Sequence, residues 1–188
     1  MRIEVGSSTA ERKALEAGLQ EGGATWTVAP RPGGGLTYHV SECVGVEELL
    51  PILRGLARAN AAVLEADPTL RRAIQRALEG RRIRYELDAG EDDWVGAGGF
   101  SAGQWLDGTR VLDCEDFTAL GAALAAIEHG SRAEVGIYWN AGAMGHAVPI
   151  VDGRVVDLSV YYGMPYPGRA YYERTPLYRA DLDPRSRT

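Results

Sequence analysis

Apolar and polar residues alternate in three short stretches near the start of the chain: Arg2-Ile3-Glu4-Val5, Ala24-Thr25-Trp26-Thr27-Val28 and Leu36-Thr37-Tyr38-His39-Val40. A period of two predicts strands. Residues 10–20 have helix-forming composition, so the chain is expected to open with a small strand–helix–strand–strand unit. From Val46 the repeat lengthens, and Val46, Leu49, Leu50, Leu53, Leu56, Ala57, Val63 and Leu64 fall on one helical face. Pro51 sits near the first turn of that helix, where a missing amide donor is tolerated. Asp67-Pro68 opens a second helix over 69–79, with Leu70, Ile74, Ala77 and Leu78 inward and Gly80 as its stop. Residues 82–87 read as extended. Residues 88–103 form a glycine- and acid-rich loop holding Trp94 and Phe100, long enough to point to function, and it leads into Gln104-Trp105.

A third helix follows. Asp113 is suited to N-cap it, Asp116 three residues on completes a capping box, and Gly130 is suited to end it. Phe117, Leu120, Leu124 and Ile127 give one apolar stripe, with Cys114 at its first turn. Residues 133–139 then read as a strand, Asn140-Ala141-Gly142-Ala143 as a turn and 145–151 as a second strand. Asp152-Gly153 is a hairpin signal, and 154–158 returns as the partner strand. Folding at that turn sets Val148 opposite Asp157 or Val156, which brings His146 and Asp157 onto one face within a residue or two of each other. The tail beyond is rich in tyrosine and proline, reads as extended, and is expected to border whatever cleft lies beside Asp157.

Composition narrows the function. The 188 residues are 45% hydrophobic, enough for one sizeable core. A net charge of −6 argues against a general binder of nucleic acid or anionic membrane. With no long apolar window and no signal-peptide pattern at Met1-Arg2-Ile3-Glu4-Val5, a cytoplasmic protein is expected. Two cysteines make no disulfide framework and suit a reducing compartment. The one basic stretch, Arg71, Arg72, Arg76, Arg81, Arg82 and Arg84, reads first as a solvated face and second as a docking patch for an acidic partner. His39 and Cys43 lie four apart without further ligands, so no metal is expected, and Gly33-Gly34-Gly35 lacks the lysine and helix start of a phosphate loop.

Cys114 carries the candidate chemistry. A helix's first turn offers unpaired amides and the positive end of the dipole, which favour thiolate. Asp113, Glu115 and Asp116 oppose that, so a nearby imidazolium is needed, and His146 is the one the hairpin brings round. His129, in the last helical turn, is better placed for helix-end carbonyls.

Asp113-Cys114-Glu115-Asp116, His146-Ala147-Val148 and Val156-Asp157-Leu158-Ser159, in that order, resemble the transglutaminase-like branch of the papain-like cysteine peptidases, in its compact bacterial and phage-encoded form. The likeness covers roughly residues 81 to 165, and Leu112 stands where many members have glycine. The resemblance implies an α+β papain-like fold, with the nucleophile helix packed on an antiparallel sheet. Residues 1–45 would be an N-terminal extension, 46–165 the catalytic core and 166–188 a Tyr/Pro-rich tail. It implies Cys114 as nucleophile, His146 as base, Asp157 as the carboxylate that orients it, and Gln104 as oxyanion donor. Trp105, Tyr161 and Tyr162 are expected along the substrate cleft. The expected function is cofactor-free hydrolysis of an amide or peptide bond in a protein or peptide substrate, through a thioester. Resolution of the thioester by an amine would make a transglutaminase or other acyl transferase. A non-catalytic interaction protein on the same fold, such as a phage assembly factor, is the remaining alternative.

Overall fold

The alternation at the start of the chain produces β1 (Arg2–Val5), β2 (Trp26–Pro30) and β3 (Leu36–Val40), with helix α1 (Thr9–Glu21) between the first two. The structure, a computed structural model, describes residues 1–32, 34–41, 45–87, 93–99, 104–105, 111–128, 132–140 and 145–182. Strand β2 begins at Trp26 and not at Ala24, because Gly23, at φ +69°, and Ala24 close the end of α1. The Ala24 amide donates to the Leu19 carbonyl at 3.0 Å.

Helix α2 (Val46–Ala66) packs against α1 where two glycines meet. A Cβ at Gly18 would sit 2.6 Å from the Pro51 carbonyl oxygen and 2.7 Å from Gly55 Cα, so both backbones must be bare there. Helix α3 (Pro68–Glu79) starts at Pro68, and the Asp67 carboxylate accepts from the amides of Thr69 and Leu70 at 3.0 and 2.9 Å. Its arginines Arg72 and Arg76 are exposed, as are Arg81, Arg82 and Arg84 beyond it. Strands β4 (Arg84–Tyr85) and β6 (Val111–Leu112) make a short parallel pair. Between them β5 (Asp93–Val95) runs parallel to β1, so the first sheet has the order β2-β3-β1-β5 and the opening strands share it with a strand from the loop region.

Helix α4 (Cys114–Glu128) is buried on two sides and not along a single stripe. Its Cys114, Ala119 and Ala122 join the cluster that runs from Ile3 to Leu182, while Phe117, Leu120, Ala123 and Leu124 join a second cluster with Leu70, Ile74 and Trp105. The alanines let the antiparallel second sheet approach, in the order β10-β7-β8-β9: β7 (Ala133–Tyr138), β8 (His146–Val151), β9 (Arg154–Val155) and β10 (Leu177–Asp181). The tail is therefore not simply extended. It folds into α5 (Leu158–Tyr161), α6 (Arg169–Arg174) and β10, which pairs with β7. The result is a mixed α+β protein. Among the described residues no helix is long and apolar enough to cross a membrane.

One acid is buried without an ion pair among the described residues. Glu11, in the first turn of α1, is wholly buried, and its carboxylate is lodged against glycines. A Cβ at Gly98 would lie 2.4 and 2.5 Å from its two oxygens, and one at Gly6 2.7 Å from Oε2. Neither oxygen has a hydrogen bond of normal geometry, although the Gly6 and Gly98 amides lie near enough to draw on the charge. Burial outweighs them and pushes the Glu11 carboxyl up from 4.5 to about 7.

Candidate active site

The start of α4 is built by its acids. Asp113 Oδ1 accepts from the amides of Glu115 and Asp116 at 3.1 and 3.2 Å, and Asp116 Oδ2 reaches back to the Asp113 amide at 3.5 Å. This is the capping box that the sequence predicts. Asp116 Oδ1 also accepts from the Val95 amide at 2.7 Å, which ties the helix start to β5. Burial, with Asp116 and Glu115 close by, pushes the Asp113 carboxyl well above its usual range.

Cys114 opens the helix at 6% exposure. Its Sγ donates to Glu115 Oε2 at 3.0 Å. Burial, then the Glu115 and Asp113 carboxylates, push the thiol well up, and the Ala147 amide pulls the other way. The helix-dipole expectation of a favoured thiolate is thus overridden, because Asp113 already occupies the amides of Glu115 and Asp116 and a carboxylate faces the sulfur.

His146 is the first residue of β8, opposite Tyr138 on β7 and 5% exposed. The chain turns at Asp152 and Gly153, with φ 50° and 77°, and returns as β9. Pairing of Ile150 with Val155, then a Val156 amide to Pro149 carbonyl bond of 2.9 Å, carries Asp157 alongside His146. The return strand is shorter than the expected 154–158: it ends at Val155, and Asp157 instead caps α5 by accepting from the Val160 amide at 3.0 Å. The strand stops because the backbone turns into α5 directly after the Val156 amide bond.

The other Asp157 oxygen accepts from His146 Nε2 at 2.8 Å and from the Tyr172 hydroxyl at 2.6 Å. Burial works to raise the Asp157 carboxyl, but His146, Tyr172 and the Val160 amide together hold it below its ordinary value. An ionised carboxylate only accepts, so the proton of the 2.8 Å contact sits on Nε2 and leaves Nδ1 as the ring's acceptor. Tyr171 and Tyr172 lie with ring centroids 6.5 and 6.4 Å from the imidazole, and Tyr138 meets Tyr172 edge-on at 5.1 Å. The tyrosine-rich tail signalled a wall here, but the Tyr172 bond to Asp157 had no sequence signal, because it depends on the turn that α6 makes.

Cys114 and His146 line one cleft of about 780 Å³. Asp113 and Glu115 line it as well, together with Trp94, Trp139, Tyr171, Met164 and Pro165. Trp105, Tyr161 and Tyr162 are not among its described lining residues. Trp105 is buried in the second core cluster. Tyr162 stacks on Phe117 at 5.0 Å and donates to the Leu78 carbonyl at 3.2 Å, while Tyr161 is exposed with Arg81 4.8 Å from its ring. Their apolar surface serves the core and a surface contact, and Met164, Pro165, Pro167 and Tyr171 take the cleft-lining part of the tail. Gln104 is exposed and is likewise not among the described lining residues. His39 is exposed on β3, opposite Arg2 and Thr27. Cys43 and His129 lie outside the described residues. Among the described residues no group of three or more His, Cys, Asp or Glu is placed to hold a metal ion.

Fold and site together define a mixed α+β protein in which a buried thiol at a helix start shares a cleft with an imidazole–carboxylate pair. Comparison of the chain with models of known families, with curated proteins and with solved structures finds no match.

Proposed function

We propose that the chain is a cysteine-dependent acyl-transfer enzyme of the papain-like, transglutaminase-like kind, acting on amide or peptide bonds. The observation that carries this reading is the His146 Nε2 to Asp157 Oδ2 bond of 2.8 Å beside a cleft that Cys114 also lines. It fixes the imidazole with Nδ1 as the acceptor for the thiol proton. Cys114 Sγ attacks the acyl carbon, His146 takes the S–H proton and returns it to the leaving amine, and a thioester remains. Water then releases an acid, or an amine an amide. Apolar and aromatic walls favour a substrate that brings an apolar side chain next to the attacked carbonyl.

A reading as a binding protein without turnover draws on one observation, the thiol held on Glu115 with its proton kept. Acylation by p-nitrophenyl acetate separates the two. The enzyme reading expects an acyl adduct at Cys114 that forms and turns over in the native protein and is lost in Cys114→Ala and His146→Ala. A Cys114 that acylates no faster than the same thiol in the unfolded chain, or equally fast in His146→Ala, sinks it. Cleavage or putrescine incorporation in a peptide digest, read by mass, then tells hydrolase from transferase.

A further inference from the structure

We propose that Glu115 is a positioning residue that holds Cys114 in a protonated resting form, so that the reaction begins only when the S–H proton passes to His146 Nδ1. This rests on the nucleophile reading above and specifies how that nucleophile is controlled. Glu115 follows Cys114 in the first helical turn, where a glutamate ordinarily reaches into solvent. Here its side chain folds back, and Oε2 lies 3.0 Å from Sγ. A carboxylate offers no proton, so the thiol is the donor, and a thiolate at that distance would face a like charge.

The usual counterweight is absent for a structural reason. The amides of Glu115 and Asp116, which would cradle a thiolate, are taken by Asp113 Oδ1, and the Phe117 amide bonds the Asp113 carbonyl at 3.1 Å. Among the described residues the Ala147 amide, on β8, is turned to the sulfur. The titratable groups that line the cleft with the thiol are Asp113 and Glu115 from the start of α4, Tyr85 from β4, His146 from β8 and Tyr171 from α6, with Asp157 behind His146. Among the described lining residues no Lys or Arg offsets the acids. Two acceptors therefore compete for one proton. On Glu115 it leaves the sulfur inert; on His146 it leaves a thiolate beside an imidazolium that Asp157 steadies. In that transfer one S–H bond breaks and one N–H bond forms.

The test is the pH profile of iodoacetamide alkylation, read at the Cys114 peptide by mass spectrometry, in wild type, Glu115→Gln, Glu115→Asp and His146→Ala. Far-UV circular dichroism checks the fold, and Glu115→Asp, which keeps the charge and shortens the reach, serves if Glu115→Gln fails to fold. Removing the charge is expected to move the reactive midpoint down by about one pH unit, about tenfold faster labelling on the acid limb, with Glu115→Asp in between. Profiles of wild type and Glu115→Gln that superimpose, or a shift to higher pH, overturn the proposal. Loss of acid-limb reactivity in His146→Ala alone leaves the triad standing and removes the Glu115 role. A shift in Glu115→Gln with no effect of His146→Ala does the reverse.

Discussion

Replacing Glu11 by glutamine tests whether burial alone sets the charge of that side chain. The carboxyl is wholly buried against glycine backbone, and its value rises from 4.5 to about 7. The rise corresponds to about 3 kcal/mol of preference for the neutral form in the folded state, at 1.36 kcal/mol per pH unit. A raised folded value means that the favourable contribution is complete below pH 4.5, is lost as pH climbs from there to about 7, and is absent above. Wild type is therefore expected to lose about 3 kcal/mol from this group between about pH 4.5 and 8, a large share of an ordinary domain's stability. Glu11→Gln removes the ionisation while keeping the shape. Its amide nitrogen meets backbone donors, an unsatisfied polar group that costs about 1 kcal/mol. The net expectation is a variant about 2 kcal/mol more stable than wild type near pH 8 and slightly less stable near pH 4.5. Urea unfolding followed by circular dichroism at both pH values gives the difference as a change in midpoint at constant slope. A difference between variant and wild type that does not change with pH would refute the reasoning.

Three further outcomes follow from packing and hydrogen bonding. Tyr172→Phe deletes the 2.6 Å bond to Asp157, so the Asp157 carboxyl should rise, and loss of a bond to a charged group should cost about 1.5–3 kcal/mol of stability, measured by thermal unfolding. The acid limb of any Cys114-dependent activity should move upward with it. Gly121→Ala puts a methyl 2.4 Å from Leu158 Cδ1 and 3.2 Å from Pro149 Cγ, beside the Asp157 corner. It should destabilise by about 1–3 kcal/mol, and unchanged melting would show that α4 can move away from the hairpin. Asp113→Ala strips two amides of their acceptor at the start of α4 and should cost about 1–2 kcal/mol in urea unfolding, against little effect from Asp152→Asn at the exposed turn.

Periodicity made α2, α3, β1 and β3 legible, because each carries its burial pattern within its own residues, while composition pointed to α1, and to β7 and β8 as strands. The His146–Asp157 pairing was legible for a similar reason: a two-residue turn at Asp152-Gly153 fixes the register on both sides. What escaped was set by partners distant in sequence. Helix α4 hides two faces, since alanine reads as neutral in a hydrophobic stripe but admits a sheet at close range. Strand β10 alternates poorly, Leu177-Tyr178-Arg179-Ala180-Asp181, because it lies at a sheet edge with mixed exposure. Strand β5 has three residues inside a glycine-rich loop, too few for a period to show. Aromatic residues were the least legible: nothing local tells that Tyr162 stacks in the core while Tyr171 lines the cleft.

The hydroxyl that steadies Asp157 belongs to α6, which leads directly into β10 and its pairing with β7. A ribosome reads the chain from the other end, so sulfur, imidazole and carboxylate are all synthesised well before the clamp that sets them. If the proposed function holds, the thiol chemistry of a growing chain waits for β10, and removing that strand should silence the site without touching any of the three groups.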